Sequence, residues 1–136
     1  MLREIGVDEI IRPTNTGLVA RVFGKKAGES AVVAFRADID ALPMREKNDL
    51  PYCSRNDGAM HACGHDGHAS ILLALAKLLC EHRGSFCGEA RLIFQHAEEL
   101  PPGGAIEMVR AGVLSGVEAV LGLHLSSGFD TGVFAT

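Results

Sequence analysis

Apolar residues in this chain come in short runs, and the spacing within each run predicts an element. The stretch TGLVARVFGKKAGESAVVAFRA, residues 16–37, holds two β-branched apolar runs around the polar turn GKKAGES, which predicts two strands. The period changes in DGHASILLALAKLLCEHRG. There Leu72, Leu75, Ala76 and Leu79 recur at helical spacing, Asp66 can cap the start and Gly84 follows the last turn. EARLIFQHA reads as a strand, GGAIEMVRAGVL as a shorter helix and VEAVLGL as a further strand. Strand, helix, strand, helix, strand predicts an α/β layered sandwich with a largely parallel central sheet. At 136 residues the chain holds one domain, spanning 1–136.

The residues just past each apolar run carry the chemistry. AVVAFRA runs into Asp38 and Asp40, RLIFQHA into Glu98 and Glu99, and VEAVLGL into His124. Open α/β sheets bind ligands beyond the carboxyl ends of their strands, so these groups are expected to meet in one crevice. The turn that feeds the long helix, MHACGHDGH at 60–68, adds three of the six histidines and Cys63 at the same edge.

A thiolate and an imidazole two residues apart, Cys63 and His65, can face one ion, and the following helix start favours the thiolate through its dipole. Glu99 and His124 can complete a mixed S/N/O set that suits zinc without excluding manganese, cobalt or nickel. Glu98, the neighbour of a ligand, is placed to act as general base toward a water and to return its proton to a leaving amine. Asp38, Asp40 and Asp66 can fix imidazole tautomers from behind, with His61 beside them. Each piece alone has a plainer reading. Glu98–Glu99 fits a solvated acidic loop, His124 a surface histidine, and Asp38 and Asp40 a turn before ALP. His61 and His68 fit a capping or core pair, and His82 and His96 structural or exposed positions. The convergence of several polar element ends is what favours the metal reading.

Composition narrows the classes. A net charge of −4 and no basic run argue against a nucleic-acid surface. The N-terminus MLREIGVDEI has no apolar signal region, and ASILLALAKLLC is too short for a bilayer, so no membrane partner is expected. Four cysteines (Cys53, Cys63, Cys80, Cys87) without framework spacing point to a reducing cytoplasm, with Cys80 in the helix core.

The segments FRADIDALPMREKNDLPYCS, MHACGHDGHASILLALAKLL, GEARLIFQHAEELPPGGAIEMV and GVEAVLGLHLS, in this order, resemble the M20 metallopeptidase family. The resemblance is to its amidohydrolase branch, which includes hippurate hydrolases, N-acyl-amino-acid amidohydrolases and auxin-conjugate hydrolases. It implies a zinc-peptidase-like catalytic domain holding two divalent metal ions, with Cys63 bridging them and His65, Glu99 and His124 as further ligands. It implies Glu98 as the general base, Asp40 as the aspartate close to the metals, and hydrolysis of small N-acyl amino acids. Relatives are longer, two-domain homodimers, so the resemblance implies an incomplete, N-terminal portion without the lid and dimerisation domain and without a late metal-binding histidine. His96 stands where many relatives have proline. On this reading the 136-residue chain by itself has little or no activity. The alternatives are a non-catalytic remnant or a metal-binding module that pairs with a full-length relative, and a plain α/β domain without metal.

Overall fold

The computed structural model describes residues 1–135. Five strands form one sheet: β1 (Glu9–Ile11), β2 (Leu18–Phe23), β3 (Val32–Asp38), β4 (Glu89–Gln95) and β5 (Ala119–Gly122). The helices are α1 (Leu2–Ile5), α2 (His65–Glu81) and α3 (Gly104–Arg110), with a 3-10 turn at Arg83–Ser85. The spatial order is β1-β2-β4-β3-β5. β3 is parallel to both β4 and β5, whereas β1 and β2 run antiparallel to their neighbours. The half of the sheet that delivers the acids and His124 is therefore parallel, as expected, and the outer half is not.

β4 shows how the layers form. Its residues alternate between faces. Ala90, Leu92 and Phe94 pack with Ala20, Val22, Ala37, Leu72 and Ala76 beneath α2. Ile93 turns the other way, to Val19, Ala34, Met108 and Val113 beneath α3. The result is helix, sheet, helix. Alanines at 20, 34, 37, 76 and 90 let both helices approach closely.

β2 and β3, consecutive in the chain, do not pair; β4 inserts between them. Long-range pairing of this kind has no local signal. Two further differences are local. α2 is not capped by Asp66: Gly64 holds the N-cap position with φ of 79°, and Asp66 lies in the first turn. Gly84 does not end the helix but sits inside the 3-10 turn after the His82 C-cap. Among the described residues the four cysteines are unpaired. Among the described residues no helix is long and apolar enough to cross a membrane.

Candidate metal centre

The parallel strands β3, β4 and β5 end at the same edge, where α2 begins. His65 opens α2 on the stripe that runs His65, His68, Leu72, Ala76, all buried. An i, i+3, i+7 spacing keeps these side chains on one helical face, so the core stripe of α2 starts with two imidazoles.

His65 is 1% exposed. Its Nδ1 lies 3.0 Å from the Asp40 carbonyl and 3.2 Å from the Asp40 carboxylate. Both oxygens only accept, so Nδ1 carries the proton and Nε2 carries the lone pair. That Nε2 is buried and has no hydrogen-bond partner. Leaving such an atom unpaired costs about 1–3 kcal/mol, which calls for a ligand. His124 has the same tautomer: its Nδ1 donates to the Leu125 carbonyl at 2.6 Å, and its Nε2 faces Cys63 Sγ at 3.6 Å. Cys63, His65 and His124 donor atoms all lie within 4.8 Å of one another, and so do those of His65, Glu98 and Glu99. The two clusters share His65. A thiolate and an imidazole on one tetrahedral ion, at bonds of roughly 2.3 and 2.1 Å, stand about 3.6 Å apart. The Cys63–His124 spacing matches this, and lone-pair donors of S, N and O type fit a divalent transition metal.

The electrostatics also ask for a cation. Contact with the Glu99 carboxylate, then burial, then the charges of Glu99, Glu98 and Asp38 raise the Cys63 thiol pKa. The expected lowering by the helix dipole does not prevail against these carboxylates. A positive ion would reverse that balance.

Behind the donors, Asp40 holds two elements at once. Besides His65, its carboxylate accepts the Glu99 backbone N–H at 3.1 Å, which fixes the turn after β4. That turn begins at Ala97, whose φ of 48° swings Glu98 and Glu99 out of the strand direction. Burial opposes ionisation of Asp40, but the backbone N–H groups of Glu99 and Glu98 prevail and lower its pKa. Its carboxylate is thus occupied in positioning.

Asp38 is placed at the centre of a second network. Its Oδ1 accepts from His68 Nδ1 at 2.5 Å and its Oδ2 from Arg36 Nη1 at 2.7 Å. Burial works against the charge, yet His68 and Arg36 outweigh it and hold the pKa below the usual carboxylate range. Asp38, His65 and His68 also offer donor atoms within 4.8 Å of one another. With Asp38 and both nitrogens of His68 engaged in hydrogen bonds, this trio is a bonded network rather than a vacant site.

Asp66 and His61 are not behind the donors. Both are exposed, and Asp66 Oδ1 accepts from the adjacent Gly67 N–H instead. Being one residue after His65, Asp66 points some 100° away around the helix. Arg36 has no signal in the sequence; His68, read there as one of a capping or core pair, is indeed in the core, in phase with Leu72 and Ala76, and its bond to Asp38 is what the spacing does not reveal. His96 bridges Thr14 and Glu107, and His82 caps α2 at its C-terminus. A surface hollow of about 580 Å³ between α1 and α2 carries no such donor cluster.

The profile of peptidase family M20/M25/M40 matches residues 34–135. The chain is 52% identical to an N-acyl-L-amino acid amidohydrolase of Geobacillus stearothermophilus, over 96% of this chain and 35% of that protein. It is 48% identical to thermostable carboxypeptidase 1 of Saccharolobus solfataricus, over 99% of this chain and 34% of that one. Among solved structures it superposes on the Bacillus subtilis YXEP protein, a dinuclear metal binding peptidase from the M20 family, with a TM-score of 0.84. Identity there is 43%, over 92% of this chain and 34% of that one. The chain spans about a third of the length of the relatives it matches. On the matched segment, the identities and the shared fold, the chain belongs to peptidase family M20/M25/M40.

Proposed function

We propose that the chain carries the metal-binding half of a hydrolase site for N-acyl amino acids, with Cys63, His65, Glu99 and His124 as ligands to divalent metal. The observation that carries the reading is buried His65, whose Nε2 has no hydrogen-bond partner and whose ring takes part in two donor clusters, one with Cys63 and His124 and one with Glu98 and Glu99, each within 4.8 Å. Two adjacent clusters are compatible with a pair of ions, and the YXEP neighbour is described as dinuclear. A relative named for N-acyl amino acids supports the substrate class. Four unpaired cysteines, one of them a proposed ligand, are consistent with a reducing compartment such as the cytoplasm.

When bound, the metal supplies Lewis acidity, which brings the pKa of a water down to about 7. The chain does the rest. Glu98 is exposed beside His65 and Glu99, where its carboxylate can take a proton from the attacking water and pass it to the departing amine nitrogen. Asp40 holds His65 so that Nε2 faces inward, and holds Glu99 through its backbone. Glu98, Glu99 and His124 are all exposed, so solvent weakens the electrostatic part of catalysis and turnover by this chain is expected to be slow.

Equilibrium dialysis against Zn2+ followed by metal analysis tests the reading. Bound zinc should fall at least about tenfold in Cys63→Ala and in His65→Ala. Glu98→Gln should keep the metal and remove whatever hydrolysis of an N-acetyl amino acid the parent shows. Zinc retained in full by both ligand variants would overturn the assignment.

A further inference from the structure

His124 has little of its own to hold it. It lies just past β5, which ends at Gly122, and it is exposed. Apart from Cys63, its polar partner is the carbonyl of the next residue. The next residue, 47% exposed, is held through its backbone. Leu125 donates its backbone N–H to His68 Nε2 at 2.9 Å. Its side chain lies over the glycines of the α2 start: a Cβ on Gly67 would meet Leu125 Cδ1 at 2.4 Å, and one on Gly64 would meet Leu125 Cβ at 3.6 Å.

His68 is in turn fixed from behind. Because Nε2 accepts from Leu125, the ring proton sits on Nδ1 and is donated to Asp38. Asp38 is anchored by Arg36, and Arg36 Nε donates to Gln95 Oε1 on β4. One chain of hydrogen bonds therefore runs from β4 through β3 and α2 to the backbone beside His124. The His68 ring also packs edge-on against the His124 ring, with centroids 4.6 Å apart. His68 is 2% exposed and has no free donor of its own for an ion.

We propose that His68 is a positioning residue for His124: by accepting the Leu125 N–H and packing against the His124 ring, it holds the His124 lone pair toward Cys63 and His65. This rests on the metal-ligand reading above, with His124 as a ligand. Residues that orient a ligand in this way are worth about 10- to 100-fold in metal affinity.

The test is Co2+ titration of the 136-residue chain, followed by visible absorption of the thiolate-bound ion. His124→Ala should weaken binding, and His68→Leu should weaken it about 10- to 100-fold. His68→Gln, whose amide oxygen can take the Leu125 N–H, should recover part of the loss. In a His124→Ala background, His68→Leu should cost nothing further. A general loss of structure would lower affinity by the same factor in both backgrounds, and that result would overturn the proposal. If His124→Ala weakens binding and His68→Leu does not, the positioning role fails while the metal reading stands. If His124→Ala has no effect, both fail. Should His68→Leu lose its circular dichroism, Leu125→Pro serves instead, because it keeps His68 and removes the backbone N–H that His68 accepts. Weaker Co2+ binding is then expected, and unchanged binding would overturn the proposal.

Discussion

In the metal-free chain the Cys63 thiol faces Glu99, Glu98 and Asp38, and its pKa lies above the ordinary value, with the Glu99 contact the largest cause. Only the thiolate is nucleophilic, so a raised pKa means slow alkylation at a given pH. Glu99→Gln should speed carbamidomethylation of Cys63 at mildly alkaline pH, read by mass spectrometry of the modified peptide, and bound metal should block it. An unchanged rate in Glu99→Gln would contradict the electrostatic account. At this scale the sequence marks the chemistry but not the wiring. Cys63, His65, Glu98, Glu99 and His124 stand at element ends, where their types alone point to a metal. Which acid supports which histidine depends on helical phase. One residue of rotation separates buried His65 from exposed Asp66, while three residues return the chain to the buried face at His68.

Elements with a long apolar period are legible, and short ones are not. α2, β4, α3 and β5 follow their patterns, whereas α1 and β1, of four and three residues, are too brief to show one. β4 also carries a polar feature that its apolar run conceals. Glu89, at its first position, is buried between Arg21, bonded at 2.8 and 2.6 Å, and Arg91, at 2.7 Å. Burial alone would raise its pKa, but the two guanidinium groups pull it down to about 2 from 4.5. Since the folded pKa is the lower one, the stabilisation is complete above pH 4.5 and disappears as pH falls toward 2. It amounts to something on the order of 3 kcal/mol, at about 1.4 kcal/mol per pKa unit. Urea unfolding from about pH 5 to about pH 3 should show the parent losing stability faster than Glu89→Gln. Parallel slopes for the two proteins would remove this clamp from the account.

Across the whole molecule, the polar edge and the bare apolar edge lie side by side. β5 closes one end of the sheet, and Val120 and Leu121, which point to opposite faces, are each 53% exposed. A groove of about 240 Å³ between β5 and α2 is lined by Phe35, Ile71, Leu75, Leu121 and Leu123. An unpaired apolar edge recruits other chains. Sedimentation velocity should therefore show association that grows with concentration and is reduced by Leu121→Lys, and a strictly monomeric parent would contradict this. That strand ends converge on one crevice is visible in the sequence; that β4 lies between β2 and β3 is not, because no local pattern encodes pairing order.

The proposed function depends on Cys63, His65, His124 and Glu99 sharing metal. X-ray absorption at the zinc edge of the reconstituted chain tests it most directly. One sulfur is expected at about 2.3 Å together with imidazole and carboxylate donors at about 2.0–2.2 Å, the sulfur vanishing in Cys63→Ala. A zinc shell made of oxygen alone, or a sulfur that persists in that variant, would contradict it.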